Sequence, residues 1–125
     1  MVRILVAAGI ALMGGAAVGQ SLSSLDGVWL ARFPGPQGLP REAKLTLSGG
    51  TGSYQLLAKN RDDPCLGVQA PVVVSNLTVE GFDLQIQMSK ALNGCRDAFW
   101  KPRRVDDRNY EGVFPDGRRF VITRQ

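Results

Sequence analysis

Few residues in this chain are equipped for chemistry, and their spacing narrows what they can do. There is no histidine, so Ser-His-Asp and Cys-His arrangements and imidazole-held metals are absent. The two cysteines, Cys65 and Cys95, are far apart with no CxxC spacing, which argues against a redox or zinc motif. Asp62-Asp63 and Asp106-Asp107 are adjacent acids. Neighbours in an extended chain point to opposite faces, so neither pair forms an acid/base couple. Asn60, Asp62 and Asp63 fall well short of a calcium-binding EF-hand loop. Gly49-Gly50-Thr51-Gly52 lacks the Lys-Ser/Thr of a phosphate loop and reads as a turn. Asn76-Leu77-Thr78 is a glycosylation sequon set inside a strand pattern. A two-carboxylate glycosidase site needs a cleft that so small a domain hardly offers. No cofactor or metal is implied.

The remaining chemistry is that of export and cross-linking. Arg3, the uncharged apolar run Ile4 to Met13 and the small residues Ala17-Val18-Gly19 predict a secretory signal over residues 1–19, cleaved before Gln20. The run is shorter than the roughly 20 residues of a spanning helix, and no later stretch resembles a membrane segment. Outside the cytosol two cysteines have one intramolecular pairing available. Cys65 lies in the loop Asn60 to Gly67 and Cys95 in the loop Leu92 to Asp97, so the bond would staple two loops. Closing a loop of that length contributes roughly 3.5 kcal/mol in the chain-entropy view. Residues 20–125 make one domain with a small core, which such a staple helps.

The elements that must hold these loops are strands. Gly27 to Phe33 opens the fold, and the Pro/Gly stretch 34–40 is a loop on composition. Ala43, Leu45 and Leu47 alternate through Arg41 to Ser48, and Tyr54, Leu56 and Ala58 through Ser53 to Lys59. Val72 to Val79 and Gly81 to Ser89 follow, the latter alternating Phe82, Leu84, Ile86 and Met88 with polar residues. Ala98 to Val105, Tyr110 to Phe114 and Arg118 to Arg124 complete eight, with Pro115-Asp116-Gly117 as a hairpin signal. Ser89 to Asn93 is a place for a single helical turn. The expected fold is all-β, a single-domain antiparallel up-and-down barrel. A sandwich would use the same strands, but closure removes exposed edges. In a meander, connections one, three, five and seven share one end. The first, third and fifth are long, and the third and fifth carry the cysteines. The bulky inward set Tyr54, Leu56, Phe82, Leu84, Ile86, Met88 and Trp100 predicts a filled interior.

Charge is uneven. Residues 20–95 carry six Lys/Arg and six Asp/Glu, whereas 96–125 carry eight and five. Such a basic end suits an anionic partner, but the plainer reading is a solvated outer face on which Arg103, Arg104, Arg118 and Arg119 pair with Asp106, Asp107 and Asp116.

Leu25-Asp26-Gly27-Val28-Trp29 resembles the Leu-x-Gly-x-Trp opening of calycin-type barrels, which include lipocalins, avidins and bacterial metalloprotease inhibitors. The ending Tyr110 to Arg124 is similar to the last hairpin of the exported inhibitors of serralysin-type proteases. The resemblance implies that Trp29 closes the barrel base under Arg124. The cysteines depart from the inhibitor pattern, and the arm before Gly-x-Trp is shorter.

The expectation is an exported binding protein of the periplasm or extracellular space rather than an enzyme. It would act as an inhibitor or interaction partner of another protein, with a small amphiphilic or anionic ligand, glycan or lipid as the alternative, and without nucleic acid. The expected interaction surface is the stapled end, with Arg61, Asp62, Asp63, Leu66, Leu92 and Arg96.

Overall fold

The computed structural model describes residues 21–35, 37–57 and 63–125. The expected signal segment, Ala58, Lys59, Asn60, Arg61 and Asp62 lie outside them. The strands are β1 (Gly27–Pro34), β2 (Pro40–Ser48), β3 (Thr51–Leu56), β4 (Ala70–Thr78), β5 (Gly81–Ile86), β6 (Ala98–Trp100), β7 (Arg103–Asp106), β8 (Asn109–Val113) and β9 (Arg119–Arg124). Consecutive strands pair antiparallel, and β9 returns to β1 with Val121 opposite Arg32 and Arg124 opposite Trp29. The sheet is therefore a closed up-and-down barrel. The segments β6 and β7 count as one of its eight strands, because both pair with β5.

The break within that strand falls at Lys101-Pro102. The sequence suggests an unbroken strand from Ala98 to Val105, but proline has no N–H for the ladder. Pro102 still uses its carbonyl, accepting from the Phe82 N–H at 3.1 Å, and Arg104 N–H reaches Glu80 O at 2.8 Å. Two other ends differ from the alternation read in the sequence. β3 stops at Leu56 and β5 at Ile86, and Met88 falls in a one-turn helix, α1 (Met88–Ala91). Met88 still packs against the core.

Alternation decides what lies inside. Trp29 and Ala31, then Ala43, Leu45 and Leu47, then Tyr54 and Leu56, then Ala70, Val72 and Val74 are buried. Phe82, Leu84 and Ile86, then Trp100, Tyr110, Phe120 and Ile122 complete the same cluster. Gly112 interrupts this inner row for a reason. A Cβ there would stand 2.3 Å from the Phe120 ring, so the missing side chain is the space Phe120 fills.

The two ends of the barrel are unlike. At one end the hairpin turns are Gly49-Gly50, Val79-Glu80 and Asp107-Arg108. The 3-10 turn Leu22–Leu25 closes that end with Leu25 buried. Trp29 Nε1 donates to Leu25 O at 2.9 Å, and the Asp26 carboxylate accepts from the Gly49 N–H at 2.8 Å. The opposite end carries the longer connections. There Cys65 and Cys95 form a disulfide with Cα atoms 5.7 Å apart, joining the β3–β4 and β5–β6 connections.

Candidate functional site

The inner row of β9 is bracketed by two arginines, one just before the strand and one at its end. Arg118 stands at one end of Phe120 and Ile122, and Arg124 at the other. Arg124 lies over the Trp29 ring, 4.2 Å from its centroid. It donates to Asp26 O and Ser24 O, both at 2.8 Å. The cation meets a π face while its N–H groups are satisfied by backbone carbonyls. This end is closed.

Arg118 occupies the open end. Its guanidinium sits 5.0 Å from the Phe114 ring centroid, donates to Pro34 O at 2.7 Å and pairs with Asp116 at 2.7 Å. The sequence reading placed it on the outer face among solvated pairs. It pairs with Asp116 as expected but belongs to the barrel mouth. Arg104 pairs with Asp107 as expected, but it stands opposite the inward Tyr110 and belongs to the rim of the closed end, not to the outer face.

Between these mouth residues lies a cleft of about 520 Å³. Its walls are Phe33, Trp100 and Phe114, with Ile86 and Met88 toward β5 and Tyr54 and Arg41 toward β2. The rings pack edge to face: Phe33 on Trp100 and on Phe114, both at 5.6 Å, and Tyr54 on Trp100 at 5.7 Å. Such T-shaped contacts fix ring orientation. The walls are consequently braced against one another.

Two polar groups of this cleft are unspent. Tyr54 is 5 % exposed, and its hydroxyl has no hydrogen-bond partner among the described residues. Burial pushes its pKa well above the usual tyrosine range, opposed only in part by the positive charge of Arg41. The hydroxyl therefore remains a proton donor at any ordinary pH. Arg41 continues the inner row of Ala43, Leu45 and Leu47 to the mouth, and is half-buried. A Cβ on Gly35 would lie 2.7 Å from Arg41 Nε, so the bare Gly35 backbone lets the guanidinium lie against it. Arg41 makes no ion pair or hydrogen bond among the described residues.

The rim acids are occupied. Asp116 is held by Arg118. Asp97 accepts from Ser89 N–H at 3.0 Å and Ser89 Oγ at 2.7 Å. The Ser89 backbone N–H, then its hydroxyl, hold the Asp97 carboxyl below the usual range.

Of the surface expected from the sequence, Asp63, Leu66, Leu92 and Arg96 lie in the connections joined by the disulfide. Asp63 Oδ1 accepts from Cys65 N–H at 2.9 Å, serving its own turn. Leu66 is half-buried and packs against the core. Leu92 and Arg96 are exposed. Arg61 and Asp62 lie outside the described residues. The cleft residues Arg41, Phe33, Phe114 and Arg118 were not singled out by sequence reasoning. A signal was present: Arg41 and Arg118 fall at inward positions of apolar rows, where a charge is out of place.

Comparison with protein-family models, with curated proteins and with solved structures found no match to the chain.

Proposed function

We propose that this chain is a binding barrel whose site is the open mouth, where the cleft walled by Phe33, Trp100 and Phe114 receives a small apolar or amphiphilic ligand. The carrying observation is the contrast between the ends. Trp29, Arg124 and the 3-10 turn close the base and leave a polar recess, the middle is filled, and the mouth holds a braced aromatic cleft with a hydroxyl that has no partner among the described residues. Cavities of this size with a few convergent polar groups are what small-molecule sites look like. The closed barrel and the Leu25 to Trp29 opening support a calycin-type reading, and the predicted signal supports action outside the cytosol.

A second reading is that the same end docks a protein, as an inhibitor would. It is favoured by Leu39 and Leu92 standing 68 % and 37 % exposed on loops around the mouth, with Arg96 nearby in sequence. Apolar contacts inside a charged rim suit an interface.

A melting-shift screen with small aromatic, aliphatic and glycan compounds tests the first reading. At least one class is expected to raise the Tm of the parent but not that of Ala98→Phe, which fills the cleft. If no compound raises the Tm, or each raises both proteins equally, the cleft is not the site.

A further inference from the structure

We propose that the mouth cleft selects a monocarboxylate with an aromatic or aliphatic body, its carboxylate held by the Arg41 guanidinium and the Tyr54 hydroxyl. This rests on the mouth being the binding site and goes further by naming what is bound.

The argument begins with what is left unpaired. A buried hydroxyl without a partner loses its hydrogen bond to water and gains none in return. Among the described residues Tyr54 is in that position, deep in the cleft and braced by Trp100. It remains protonated, so it needs an acceptor. Arg41 lines the same cleft from the neighbouring strand, with Leu45 opposite Tyr54 in the β2–β3 register. Its five N–H donors match a carboxylate in a fork-to-fork arrangement.

Among the described residues, charge around the cleft leaves Arg41 as the cation that a ligand can neutralise. Arg118 lines the cleft too, but Asp116 neutralises it and Pro34 O takes one of its donors. Asp97 belongs to the connection before β6, which the strand order places across the barrel from β2. Its charge is turned to Ser89. One guanidinium without an ion pair among the described residues, beside one hydroxyl donor, suits a single carboxylate, with the body of the ligand lying against Phe33, Trp100 and Phe114. A dianion would leave a charge uncompensated among aromatic rings, and an ammonium would meet Arg41 head on.

Calorimetric titration with 4-phenylbutyrate, 4-phenylbutanol and inorganic phosphate tests this. The acid is expected to bind about tenfold or more tighter than the alcohol, the worth of a charge-assisted hydrogen bond, and tighter than phosphate. Arg41→Gln should abolish the preference for the acid, and Arg41→Lys should restore part of it. Tyr54→Phe, which removes only the hydroxyl, should weaken the acid more than the alcohol while the protein stays folded. If acid and alcohol bind equally, or Arg41→Gln keeps the preference, the carboxylate clamp is wrong and the cleft remains a binding site. If phosphate matches the acid, the ligand class is wrong. If none of the three binds, the clamp falls, and the wider compound screen decides whether the cleft falls with it.

Discussion

Arginine does opposite work at the two ends of one strand row. At the base, Arg124 is fully engaged by the Trp29 ring and two carbonyls, and the result is closure. At the mouth, Arg118 is spent on Asp116, Pro34 and Phe114, which leaves Arg41 without an ion pair among the described residues. Trp29 is the anchor of the closed end, 2 % exposed and packed edge to face on Tyr110 at 5.6 Å. Trp29→Ala is expected to cost about 3–5 kcal/mol, the range for deleting a large core aromatic. Urea unfolding followed by far-UV circular dichroism measures it. A variant as stable as the parent would show that Trp29 does not hold the base. The Gly-x-Trp opening made this contact legible in the sequence, because Arg124 was the obvious late arginine. The mouth was less legible. Tyr54 was assigned to the interior from its alternation with Leu56. Nothing in a single strand shows that a hydroxyl lacks a partner, since that depends on what the other strands bring.

At the scale of elements, strand number and order could be read because period two persists in most segments. The exceptions have local causes. Pro102 breaks the sixth strand by withholding an N–H. The bulge between Ser75 and Thr78 puts Asn76 at φ 52°, a conformation asparagine tolerates better than most residues. Its side chain then donates to Asp83 at 2.8 Å. The position of the disulfide followed from parity: odd connections of a meander share an end, and both cysteines lie in odd connections. The bond ties the two longest connections beside the cleft. Replacing both cysteines with serine is expected to lower stability by about 2–5 kcal/mol. Chemical denaturation of the oxidised parent against the double variant measures this. Equal midpoints would mean that the barrel alone fixes the loops.

The whole molecule is a barrel closed below, filled in the middle and open above. Closure removes the sheet edges through which such strands would otherwise associate. It also leaves the inner row's upper positions, Phe33, Arg41, Met88, Phe114 and Arg118, as the place where inward side chains meet solvent. The loop lengths hinted at this end, and the sequence reading put function there, but on the loops themselves. Of those loop residues Asp63 serves its own turn and Leu66 packs on the core, while Leu92 and Arg96 stand exposed.

The two tryptophans report on the two ends separately. Trp29 donates its indole N–H to Leu25 at the base, while Trp100 lines the cleft and its indole N–H has no partner among the described residues. The indole resonances of ¹⁵N-labelled protein, followed through titration with 4-phenylbutyrate and with 4-phenylbutanol, address the central claim that binding occurs at the mouth. At least one of the two compounds is expected to move the Trp100 signal in a saturable way while the Trp29 signal stays in place. Movement of Trp29 with Trp100 unchanged, or binding of either compound without movement of Trp100, would contradict it; if neither compound binds, a compound that raises the Tm in the melting-shift screen takes their place in the same titration.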